Sequence, residues 1–123
     1  MSLLTSFKPF HVYTLRKSLG STTRPQRVLL ITAPQFADRR QQETLSVLPL
    51  SAVNRPVESD IRVKILSPRE GGSAELDCTH YCAIDGILPI QKINLIAHSG
   101  SEILEEEKRE IRRKLGDYLG LSR

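Results

Sequence analysis

A chain of 123 residues, 39% hydrophobic and 26% charged, fits one domain with a modest core. No apolar run approaches the ~18 residues of a membrane span, and Met1 to Lys8 lacks the apolar stretch and small-residue cleavage site of a secretory signal. A cytoplasmic protein with no membrane partner is expected. The net charge of +4 is unevenly divided: residues 1–64 hold ten Lys/Arg against four Asp/Glu, and residues 65–123 hold eight against ten. A basic N-terminal half draws polyanions, nucleic acid first among them. With no Trp and 5% aromatics, phosphate capture is favoured over base stacking on aromatic platforms.

In chain order, residues 1–9 read as a flexible N-terminal extension, and 10–123 as the single domain. Phe10 to Leu15 alternates as a first strand, followed by a loop over 16–26 and an apolar strand over 27–32. Residues 33–43, with Pro34, read as loop or short irregular helix. Thr44 to Leu50 forms a third strand, ended by Pro49. Residues 51–60 form a polar connection, and Ile61 to Ile65 has strict period-two alternation. Ser67 to Ser73 turns the chain back into a strand over 75–83. Asp85-Gly86 makes a turn, and Ile87 to Leu95 a further strand. Ser101 to Leu119 is the clearest helix, with Leu104, Ile111, Leu115 and Tyr118 at helical spacing, Glu102, Glu105, Glu106 and Glu107 early, and a Glu110–Lys114 pair. Gly120 is its stop. The sum is an α+β fold, a small, partly open antiparallel barrel with a C-terminal helix.

Gly20-Ser21-Thr22-Thr23-Arg24-Pro25-Gln26-Arg27, running into Val28-Leu29-Leu30-Ile31, is the stretch richest in chemistry. Glycine permits close backbone approach, the hydroxyls donate hydrogen bonds, and two arginines offer forked donors that match phosphate oxygens. The bland alternative is a solvated connection with chance arginines. Cys78, His80 and Cys82 alternate, so one strand face would carry all three and invite a zinc reading. Structural zinc wants four ligands and catalytic zinc three plus water, and His11 and His98 stand in unrelated contexts, so the cysteines are read as small apolar groups and no metal is assigned. Walker loop, dinucleotide fingerprint, Gly-x-Ser-x-Gly elbow and zinc-binding helix pair are all missing, which removes nucleotide, hydride and acyl-transfer chemistry from consideration.

The order Val12-Tyr13, Gly20-Ser21, Arg24-Pro25, Arg27 to Ile31, Asp38-Arg39, Leu48-Pro49-Leu50-Ser51, Gln91 and Leu119-Gly120-Leu121 resembles the PemK/MazF toxins over nearly the whole chain. The resemblance implies a small barrel of the SH3 kind and a homodimer. It also implies metal-independent, sequence-specific cleavage of single-stranded mRNA without a cofactor, and inhibition by a cognate antitoxin protein. Cleavage would proceed by attack of the RNA 2′-hydroxyl, leaving a 2′,3′-cyclic phosphate. Carried over by position, Arg27 is the catalytic arginine and Ser51 the catalytic hydroxyl, although the family's Arg-Pro dipeptide matches Arg24-Pro25. Gly20, Ser21, Thr22, Thr23, Arg24, Gln91 and Lys92 would bind substrate. The chain departs from the family at Ile90, where several members carry an acidic residue before the glutamine, and at Lys92-Ile93, where Gln-x-Arg is usual. The proton-transfer group is thus open, with Asp85 and His80 near in sequence but read first as turn and strand residues. A CcdB-like gyrase inhibitor of the same fold and a catalytically inactive RNA-binding barrel are the alternatives.

Overall fold

Valines and leucines on β2 (Arg27–Leu30) bury without any polar alternation: Val28, Leu29 and Leu30 are each wholly inaccessible to solvent. Such a run belongs to a strand covered on both faces, and the computed structural model, which describes residues 6–16, 26–53 and 56–121, shows why. Leu29 packs into one core with Val12, Leu48, Leu50, Val63 and Ile111. Val28 and Leu30 pack into a second with Phe7, Tyr13, Val47 and Leu95. The cores lie on opposite sides of one antiparallel sheet.

The sheet runs β4 (Arg62–Ile65), β5 (His80–Ala83), β3 (Thr44–Ser51), β2, β1 (His11–Leu15) and β7 (Leu95–Glu102), and β6 (Leu88–Gln91) also pairs with β3. The antiparallel α+β architecture with one long C-terminal helix is as expected. The path ends at β4 and β7, and no register joins those two among the described residues, so the sheet is open there. A single turn, α1 (Pro34–Ala37), falls within the stretch read as loop or short helix. Of the expected N-terminal extension, residues 6–9 are described. Phe7 is buried there against Tyr13, its ring 6.3 Å away, and the Tyr13 hydroxyl accepts the Lys8 N–H at 2.9 Å.

Four boundaries differ from the sequence reading. Pro49 sits inside β3 rather than ending it. The Ile31 N–H bonds to Ser46 O (3.1 Å), so the polar backbone groups of Ser46 face β2, and those of Pro49, three residues on, face the other edge. There β3 changes partner, from β6 up to Val47 to β5 from Leu50, and no ladder bond is lost to proline. The strand expected over 75–83 shrinks to β5, because Ser51 and Ile65, the ends of its partners, pair with Tyr81 and His80. Upstream of His80 no strand remains to pair with, though Ala74 and Leu76 still bury in the first core. The strand expected over 87–95 breaks into β6 and β7 at a 3-10 turn, Lys92–Asn94. Finally, residues 101 and 102 stay in β7, with Glu102 opposite His11, and the helix α2 (Glu105–Tyr118) starts later.

The helix lies against the first core through Ile111 and Leu115, while Tyr118 is half exposed. Its start lacks a Ser or Asp cap. Instead the buried Glu107 carboxylate takes the Leu104 N–H at 2.9 Å with one oxygen and the Leu66 N–H at 2.7 Å with the other. The expected Glu110–Lys114 pair is replaced: Glu110 holds Arg113 at 2.8 Å, and Lys114 donates to the carbonyls of Ser59 (2.6 Å) and Arg62 (2.8 Å). At the far end Leu121 N–H bonds Gly116 O and Gly120 N–H bonds Asp117 O, with Gly120 at φ +72°, a Schellman stop.

Candidate active site

Arg27 stands at the first position of β2. Register with Thr14 of β1 fixes its backbone, and the Gln26 carboxamide N–H groups bind Leu50 O (3.3 Å) and Arg27 O (3.4 Å), tying this start to the end of β3. Its guanidinium is 31% exposed and lies 3.5 Å from the Asp77 carboxylate, itself 72% exposed. An ion pair this wet is weak. The guanidinium can therefore exchange Asp77 for a phosphate, which takes the same fork of donors.

Ser51 ends β3 close by, and its Oγ accepts the Val53 N–H at 3.1 Å, leaving the hydroxyl proton to donate elsewhere. Strand alternation matters here. Arg27 projects with Leu29 toward the first-core face, and Ser51 with Val47 toward the second, so the two flank one end of the sheet from opposite faces. Gln91 and Lys92 are not brought to them. Gln91 pairs with Thr44, seven residues of β3 from Ser51, about 23 Å along a straight strand. There Gln91 and Lys92 line a cleft of about 410 Å³ with Phe7, Arg40 and Gln42. The Lys92 ammonium is fastened to Arg39 O at 3.0 Å and lies 5.2 Å from the Phe7 ring centre. Gly20, Ser21, Thr22, Thr23 and Arg24 lie outside the described residues.

The cysteine and histidine pattern rearranges. Cys82 is wholly buried, and burial pushes its thiol far above the ordinary range, so it cannot join Cys78 and His80 on an accessible face. Asp77 takes its place: one donor atom from each of Asp77, Cys78 and His80 lies within 4.8 Å of the others. Asp77 is the residue that motif reading missed, and the signal was faint, a lone acid before Cys78 in a stretch read as strand. Asp85 is occupied elsewhere, 2.6 Å from Arg62, which also holds Glu58 at 2.7 Å.

The fold, an antiparallel sheet with a C-terminal helix, is shared with solved structures, two of which define the likeness. One is an endoribonuclease in complex with its cognate antitoxin from a mycobacterial species, 20% identical over 94% of this chain and 96% of that one, at a TM-score of 0.70. Another, an endoribonuclease from a mycobacterial species, is 18% identical over 99% of both chains, at a TM-score of 0.71. No family model and no curated protein matches the sequence.

Proposed function

We propose that this chain is a toxin endoribonuclease of the PemK/MazF kind, which cuts single-stranded RNA and is silenced by a cognate antitoxin. The observation that carries the reading is a likeness spanning both chains almost end to end, to two structures that are both called endoribonucleases, one of them with its antitoxin. A half-exposed arginine at the root of β2, where the resemblance asks for one, agrees with it.

The chemistry needs little equipment. The RNA 2′-oxygen attacks its own phosphorus, the P–O5′ bond breaks, and a 2′,3′-cyclic phosphate and a free 5′-hydroxyl leave. Arg27 grips the phosphorane oxygens as charge builds on them, and Ser51, leaving the same end of the sheet from the opposite face, donates a hydrogen bond around that end. Asp77 holds the guanidinium in place until substrate arrives, as a positioning residue. Arg24 and residues Gly20 to Thr23 bind flanking phosphates. Gln91 and Lys92, at the far end of β3, contact the strand several nucleotides away. The working unit is a homodimer in the cytoplasm.

Incubation of the pure protein with RNA in EDTA tests the reading. Cuts at a short repeated sequence with cyclic-phosphate ends are expected, and Arg27→Ala should lose roughly 10²–10³ in rate. No cleavage by the parent protein, or cleavage by Arg27→Ala at the parental rate, overturns it.

A further inference from the structure

We infer that Asp77, Cys78 and His80 form a zinc-binding site beside Arg27, one that shares Asp77 with the proposed cleavage site but takes no part in breaking the phosphodiester. Carboxylate, thiolate and imidazole together are the donor set of a borderline-soft divalent ion, not of Mg²⁺ or Ca²⁺, and three protein ligands with one open position suffice for zinc. The spacing fits. Three atoms no more than 4.8 Å apart, one of the two ring nitrogens standing for His80, share a point within about 2.8 Å of each, against zinc bonds of 2.0–2.3 Å. Asp77 and Cys78 are both exposed and free to turn inward by the difference.

His80 is the prepared member of the set. It is 7% exposed, and its Nδ1 lies 2.7 Å from the Cys78 carbonyl oxygen, a contact that only an Nδ1–H donor can make. The proton is thereby fixed on Nδ1, and the lone pair on Nε2, which has no partner among the described residues. A ligating histidine is oriented in this same way, its second nitrogen donating to a backbone carbonyl. The Cys78 sulfur lies 4.0 Å from Nδ1 and, being exposed, has to turn toward Nε2 to share an ion with it. Cys82 is sealed in the core and takes no part.

Asp77 cannot serve zinc and Arg27 fully at once, so the ion and the guanidinium compete for one carboxylate. By linkage, removing Arg27 tightens the metal.

Titration of the folded protein with Co²⁺, then displacement by Zn²⁺ in competition with a chromophoric chelator, tests the site without RNA. A thiolate-to-cobalt charge-transfer band and tetrahedral d–d bands are expected. Cys78→Ser should abolish the band, Cys78→Ser and Asp77→Asn should each weaken Zn²⁺ by about tenfold or more, and Arg27→Ala should tighten it. Both Cys78 and Asp77 are exposed, so these variants keep the fold. Cobalt spectra without the thiolate band, or Cys78→Ser binding Zn²⁺ like the parent, would sink the proposal whatever the protein does to RNA.

Discussion

Glu107 shows how a single side chain joins two elements. Its carboxylate is 6% exposed, yet each oxygen accepts a backbone N–H, from Leu66 after β4 and from Leu104 before α2. Alanine there strands both donors in a nearly dry place, and hydrogen bonds to a charged acceptor are worth about 1.5–3 kcal/mol each. Glu107→Ala should therefore lose about 3–6 kcal/mol in urea unfolding, whereas the exposed Glu106→Ala should change little. Asp77 behaves differently because its partner is wet. Asp77→Asn removes a negative charge from the phosphate's landing place and also releases Arg27. Steady-state kinetics on RNA should show KM falling severalfold while kcat stays within about twofold of the parent, a split that a merely structural carboxylate would not produce.

Two elements carry devices of their own. Lys108 sits in the first turn of α2, where a cation is disfavoured, and is buried over the Phe10 ring between Glu102 (2.7 Å) and Glu105 (3.0 Å). The hydrogen bond to Glu102, more than any other influence, raises its pKa above the ordinary lysine value. A raised folded-state pKa means stability that is complete below the unfolded value and is lost as pH rises through the folded one. Burial raises the Tyr13 hydroxyl as well, so its ionisation in the unfolded chain works in the same alkaline direction. Denaturation followed from pH 9 upward should show the parent losing stability more steeply than Lys108→Met, with the Tyr13 slope common to both. The segment between β4 and β5 depends on a glycine: a Cβ at Gly72 would lie 1.9 Å from Leu66 O, which is backbone and cannot step aside. Gly72→Ala should cost about 1–3 kcal/mol by overpacking, read as a fall in the urea midpoint.

The same segment marks the limit of what the sequence discloses. The helix was legible because Ile111 and the Gly120 stop follow from helical period and a left-handed C-terminus, and β4 because Arg62 to Ile65 alternates. Ala74 and Leu76 alternate just as well, but alternation reports burial and says nothing of whether a partner strand extends that far. Pairing is a property of β3 and β4, which run out first. Of the site, Arg27 at the head of a buried strand could be read directly. That Asp77 faces it could not, since fifty residues and a non-strand connection separate them.

At the scale of the whole molecule the excess of positive charge lies in residues 1–64, +6 against −2 for the rest. The structure uses much of the acidic half internally: Glu102 and Glu105 on Lys108, Glu107 on the backbone, Asp85 on Arg62. Arg40 and Lys92 gather at the cleft beside Gln91, and Arg27 at the opposite end of β3. A polyanion laid along that strand meets basic groups at both ends, and each phosphate it gives up to them releases counterions. For single strands the slope of log K against log salt is about −0.7 per neutralised phosphate, so three such contacts make affinity fall about 10²-fold over a tenfold rise in salt. Fluorescence anisotropy with a non-cleavable 2′-deoxy oligonucleotide separates this from catalysis, since the nucleophile is gone while the phosphates remain. Arg27→Ala should flatten the slope by about 0.7, and Lys92→Ala should do the same from the other end. A slope that neither substitution alters would mean that the bound strand does not run along β3.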